Sequence, residues 1–486
     1  MIAASLSLLG LSLATLAVPA CGSDSTPSTP ATDMVVGAML PRTGPNANTD
    51  WVSAVELAVL DMNTALSMAK SKMVKPINFK INELDTASVE QTAFDAMGTF
   101  LTAGAKIVVT EASNAAIGGN KANYAATGDD GRLPLISFTA TSATLNKADA
   151  VDAEPTRQAA LQDLDNWFFR TCQISDALSA IRLRSVFSAS ATSDSGGNGD
   201  VNGDGRVRVV WIGTSDTSTQ ASITGDRKAF DTYVATLPAG SPTYVAETVT
   251  FDPGTTPEGF DYTAPIALAT DNFLGIDTTL DMGAPDLIIN KALTNVAIPF
   301  IKAYKQNTAN TTAIFQDGSF RRNSLLASLG ATADGQRGVS NIAYMNNASG
   351  TIFKTEQQAV TGWAPAAYES QGYDAMALAL LSMVKASITA GDPLAVTSLQ
   401  TRDALTTLNT PGALVIRTGA TELKKGIEAI IAGTAINYEG ASGTVDFDAV
   451  GNVKNLAVLW QIEGGQFVEK QTFDCVTSAD CPALTP

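Results

Sequence analysis

The 486-residue chain is 45% apolar, which can fill more than one core, because single cores stop growing at roughly 250–300 residues. Its 31 basic side chains stand against 48 acidic ones, a net charge of −17, so nucleic acid and anionic lipid headgroups are repelled as partners. There is no histidine, which removes Ser/His and Cys/His nucleophile pairs, imidazole metal sites and the commonest general base. A carboxylate pair of the glycosidase kind survives as a catalytic option, and no such pair stands out.

Residues 1–20 are almost wholly apolar or small and end at Ala-Val-Pro-Ala before Cys21. The run reads as a secretory leader rather than a membrane span. It resembles a bacterial lipoprotein signal, which makes Cys21 the lipidated first residue, although Pro19 and the lack of any Lys or Arg before Arg42 depart from that pattern. Residues 21–33 are rich in Ser, Thr and Pro and read as a tether.

The continuous apolar run 34–40, bounded by Pro41 and Gly44, predicts a strand buried on both faces of a parallel sheet. A helix follows over 51–70, then an alternating strand at 77–84, a helix at 88–103, and buried strands at 105–110 and 133–138. This β-α-β order argues for a doubly wound sheet with right-handed crossovers. Cys172 lies between apolar stretches, where a free cysteine behaves as a small buried hydrophobe.

The Ser, Gly, Asn and Asp of 188–205 mark a surface loop. Within it Asp200, Asn202 and Asp204 alternate before Gly205, as ligands in a calcium loop do, but Trp211 stands where the bidentate acid belongs. Both a structural Ca2+ site and a plain solvated turn are open. The α/β pattern restarts with a strand at 206–213 and continues through a helix after Thr224, a strand at 243–251 and another at 285–290. Near the C-terminus, Cys475 and Cys481 flank a short loop and are expected to pair in an oxidising compartment.

Five stretches, VVGAMLPRTGPNA with AVELAVLDMN, LPLISFTATSATL, WFFRTCQISDA, GYDAMALALL and INYEGASGTVDFDAVGNV, occur in this order along 35–453. Together they resemble the type I periplasmic solute-binding proteins of branched-chain amino acid ABC importers. The resemblance implies two α/β lobes, joined by a hinge of three crossovers, that close on a small ligand. It assigns 34–172 and 346–450 to lobe 1, 173–345 and 451–474 to lobe 2, and 475–486 to a C-terminal tail.

What the resemblance implies for function is a non-enzymatic periplasmic lipoprotein that delivers a small solute, such as an amino acid, to a membrane permease. A sensing or scaffold lipoprotein of the same fold is the alternative. Ser113 would hold the ligand carboxylate, with Thr139, Ala140 and Thr141 completing the first-lobe site at strand and helix ends. Asp317 would pair the α-ammonium from the second lobe, and Trp51 would cover part of the pocket. Helix capping explains Ser and Thr at such positions equally well. An aromatic covering the ligand from the second lobe has no equivalent in LIINKALTNVA.

Overall fold

The computed structural model describes residues 30–44, 46–126, 128, 131–187, 199–200, 205–237, 243–254, 256–270, 285–308, 310, 312, 314–477 and 481. The leader, Cys21, most of the tether, Asn202 and Asp204 lie outside the described residues. Asp200 is described, and its carboxylate accepts the Gly205 amide at 2.9 Å. Among the described residues no cluster of acidic or cysteine side chains could hold a metal ion.

The first sheet contains β1 (Thr32–Leu40), β2 (Ile77–Asp85), β3 (Val108–Thr110), β4 (Leu135–Ser137) and β5 (Phe168–Arg170), alternating with α1 (Thr49–Ala69), α2 (Glu90–Ala103), α3 (Ser113–Ala125) and α4 (Pro155–Gln162). All its neighbours are parallel, in the order β2-β1-β3-β4-β5. Strand β1 lies between β2 and β3 and is buried on both faces, which is why its sequence is a continuous apolar run. Helix α1 begins where the Asn48 side chain accepts the Asp50 amide at 3.0 Å.

The chain then builds a second sheet through α5 (Ser175–Phe187), β6 (Arg206–Thr214), α6 (Thr217–Val234), β7 (Thr243–Phe251), α7 (Thr263–Thr270), β8 (Leu287–Asn290), α8 (Thr294–Gln306), β9 (Ile314–Gln316), α9 (Asn323–Leu329) and β10 (Arg337–Asn341). It returns to the first core with α10 (Ala348–Thr361), α11 (Glu369–Ala390), α12 (Ser398–Leu405), β11 (Leu414–Ile416), α13 (Ala420–Ile431) and β12 (Ile436–Tyr438). The strands β13 (Leu456–Glu463) and β14 (Gln466–Asp474) close the second sheet, whose order is β14-β13-β10-β9-β8-β6-β7. Only β13 and β14 run antiparallel to their neighbours. Helix α6 begins at Thr217, earlier than the sequence pattern suggests, because Asp216 accepts the Thr219 amide and caps a turn with no apolar face.

Each sheet has a core on both faces. Buried amides tie the three connections between sheets together: Asn341 accepts the Gln173 amide at 2.8 Å, Gln173 accepts the Asn455 amide at 2.9 Å, and Asn455 donates to the Thr171 carbonyl at 2.8 Å. Cys475 and Cys481 are joined as a disulfide, and Cys172 is a buried free thiol.

Several carboxyls sit in these cores. Burial pushes Glu369 up to about 8, Asp374 to about 6 and Asp163 to about 6. A group raised on folding contributes stability that is full below its unfolded value, near 4, and is lost as pH rises through its folded value. With no histidine to titrate between pH 5 and 8, the melting temperature is expected to fall from pH 5 to pH 8.5. Glu369→Gln should flatten the upper part of that fall, as followed by scanning calorimetry; a curve rising over this range would contradict the assignment.

Candidate functional site

The carboxyl ends of both sheets face one cavity of about 890 Å³, lined by 29 residues. On the first-sheet side the order β2-β1-β3 makes a topological switch point, the position where open α/β sheets bind ligands. The loop after β1 contributes Asn46, the loop after β3 contributes Ser113, and the loop after β4 contributes Thr139 and Thr141.

Helix α3 starts at Ser113, and the residue before it, Ala112, gives no side-chain cap. The Glu111 carboxylate accepts the Ala112 amide at 2.6 Å, while Ala112, Ser113 and Asn114 at the helix start line the cavity, where first-turn amides lack intrahelical partners and the helix dipole favours an anion. The Ser113 hydroxyl accepts the Ser142 amide at 3.2 Å, linking the two loops. Thr139 is 7% exposed and its hydroxyl has no partner. A buried unpaired hydroxyl is uncommon in folded proteins, and this one belongs to a residue that lines the cavity.

The Thr141 carbonyl accepts the Ser175 amide at 2.7 Å. Ala140 does not line the cavity: its amide donates to the Ser137 hydroxyl at 3.0 Å and its carbonyl accepts Arg170 at 2.9 Å. Arg170 is fully buried beneath the loop and also donates to the Ser142 and Leu145 carbonyls at 2.8 and 2.7 Å. Burial brings its guanidinium down to about 10, so it stays cationic at neutral pH. The arginine that closes the apolar run WFF is the sequence signal for this support, and hydrophobic periodicity alone does not single it out.

Trp51 forms a wall. Its indole nitrogen donates to the Ala367 carbonyl at 2.9 Å, and its ring meets Phe138 and Tyr368 edge-on, each at 5.9 Å. Tyr368 also lines the cavity and has a positive φ of 70°. Its hydroxyl passes so close to Gly318 that a β-carbon there would lie 2.8 Å away. Aromatic cover thus comes from Tyr368, and from Tyr233 on α6, not from the segment after β8. Behind Trp51, burial pushes the Glu111 carboxyl up, while hydrogen bonds and the nearby Arg322 charge draw it back.

Asp317 faces the cavity from the second sheet. Its carboxylate accepts the Ser319 amide at 3.1 Å and pairs with Lys291 at 2.6 Å. Lys291 and Asp317 are the residues that follow the paired ends of β8 and β9, where Asn290 lies opposite Gln316. Withdrawal from water pushes Asp317 up, but the Lys291 and Arg182 charges outweigh it and hold the carboxyl at about 2.

The described architecture matches solved structures over nearly their whole length. The leucine binding protein LivK from Thermotoga maritima superposes with a TM-score of 0.60 at 15% identity, covering 91% of this chain and 99% of that one. The branched-chain amino acid transporter substrate binding protein LivJ from Streptococcus pneumoniae, in complex with isoleucine, gives 0.59 at 16% identity, covering 94% and 100%. An ABC transporter solute binding protein from R. palustris, in complex with benzoate, gives 0.57 at 16% identity, covering 94% and 98%.

The chain has the type I periplasmic binding protein fold. These neighbours are binding proteins rather than enzymes. No protein-family model and no curated protein matches the sequence. The type I fold accounts for the two sheets, for the three connections between them, and for a cavity at their facing carboxyl ends.

Proposed function

We propose that this chain is an extracytoplasmic solute-binding receptor of an ABC importer, which captures a small carboxylate-bearing ligand in the cleft and closes on it about the amide-tied hinge. The observation that carries the reading is the uncapped start of α3 facing a large void beside the unpaired Thr139 hydroxyl. In this reading Ser113, Thr139 and Thr141 hold the carboxylate, Ala140 shapes their loop, Trp51 and Tyr368 cover the ligand body, and Asp317 belongs to the opposing wall.

Such a site binds without chemistry: it offers pre-placed hydrogen-bond groups and no imidazole, consistent with a receptor rather than an enzyme. The leader and Cys21 extend the proposal to a lipid-anchored periplasmic protein that hands its ligand to a permease. The neighbours bound to isoleucine and to benzoate support an amino acid or a related acid as the ligand class.

A thermal-shift screen of amino acids, amides, carboxylates and sugars tests this. A ligand at one hundred times its dissociation constant is expected to add about 2.7 kcal/mol. Ser113→Ala or Thr141→Ala should weaken that ligand roughly tenfold or more, the worth of one hydrogen bond to a charged group. No response to any compound would turn the reading towards a scaffold or a protein-facing sensor.

A further inference from the structure

The second wall of the cleft is already neutralised. Lys291, whose side chain is 2% exposed, holds Asp317 at 2.6 Å and also lies 3.5 Å from Asp226. Asp226 in turn pairs with the buried Arg182. Two acids and two bases thus satisfy one another without a ligand. A ligand ammonium brought to Asp317 would share the carboxylate with the Lys291 ammonium and be repelled by it.

The rest of the lining points the same way. Lys147, Lys228 and Lys291 face the cavity with Asp176 and Asp317, and Lys147 lies 3.6 Å from Asp149, so the lining carries no surplus of acid for an ammonium to meet. Asp176 is exposed in the first turn of α5, where the helix dipole already favours an acid. Opposite stand the start of α3, which has no side-chain cap and whose dipole favours an anion, and Thr139, whose buried hydroxyl has no partner. Leu183, Leu293, Tyr233 and Trp51 supply apolar surface between the two walls.

We infer that the cleft selects an organic carboxylate with an apolar body and no α-ammonium group, and discriminates against the matching amino acid. This rests on the receptor reading and narrows it. The carboxylate docks at α3 and Thr139, and the Lys291–Asp317 pair presents a neutral face that gives no return for desolvating an ammonium.

Titration calorimetry on the purified protein tests this with 4-methylpentanoate against leucine and 3-phenylpropanoate against phenylalanine. Each acid is expected to bind at least tenfold more tightly than its amino acid. Asp317→Asn removes one of the two acids beside Lys291 and is expected to tighten the acids severalfold, whereas an ammonium-binding Asp317 would make the same change abolish binding. Tighter binding of either amino acid, or a response in the wider screen only to zwitterions, overturns the inference and leaves the receptor reading intact; a response only to neutral sugars overturns both. No response to any compound overturns both. The wild-type comparison decides the matter even where a variant does not fold.

Discussion

Asp374→Ala is expected to lower the unfolding free energy by about 4 kcal/mol, near the upper end for a single change, because it breaks a buried hydrogen-bond network. Asp374 lies in α11, fully buried, and its carboxylate accepts the Tyr438 hydroxyl at 2.8 Å, the Ala441 amide at 2.9 Å, and the Ser442 amide and hydroxyl at 2.7 and 2.6 Å. The carboxylate packs directly on Gly440, where a β-carbon would lie 2.3 Å from one of its oxygens. Removing it leaves several buried donors unpaired, each costing about 1–3 kcal/mol before relaxation.

The turn that Asp374 fixes feeds the last connection, through Asn455, to β13. Urea unfolding followed by tryptophan fluorescence measures the loss, and the linear dependence on urea returns the free energy. A midpoint shift equivalent to less than about 1 kcal/mol would show that the network is dispensable, since that is no more than a typical surface or mildly disruptive change.

Arg322→Ala is expected to cost about 3 kcal/mol of stability and to weaken ligand binding at the same time. Arg322 is 1% exposed and precedes α9 in the second half of the fold. It reaches into the first, donating to the Asn46 carbonyl and side-chain oxygen at 3.2 and 3.0 Å and to the Ala47 carbonyl at 3.4 Å. Its guanidinium lies 4.4 Å over the Trp51 ring. Asn46 and Trp51 both line the cavity, so loss of the fork frees two parts of the pocket wall as well as stranding buried acceptors.

Arg322→Lys keeps the charge but not the planar fork or the stacking, and should recover only part of the loss. A double-mutant cycle with Asn46→Ala, read by thermal unfolding and ligand titration, separates the contact from general packing. Additive effects of the two changes would sink the claim that Arg322 acts through Asn46.

Local chemistry makes much of the fold legible. The unbroken apolar run of β1 must be buried on both faces, the alternation of β2 marks a strand, and the β-α-β rhythm leaves a doubly wound sheet as the economical arrangement. Ser113, Thr139 and Thr141 are legible for a related reason. Ser and Thr directly after buried strands fall at the carboxyl edge of a sheet, and that edge is where the cavity opens. The absence of histidine is a matter of composition alone, and it removes whole classes of chemistry whatever the fold.

Pairings between residues far apart in the chain belong to tertiary structure alone. In sequence Asp317 is a free acid, with nothing basic near it until Arg321; the parallel register of β8 and β9 sets Lys291 beside it and changes the charge that a ligand meets. Tyr368 becomes a wall of the pocket only when α11 folds back onto the first core, and Arg322 and Trp51 meet only because the two halves abut. Periodicity and turn chemistry act over a few residues and fix elements and the loops that edge them. Which charges cancel inside the cleft depends on strand register and lobe packing, which bring together side chains that no local pattern connects.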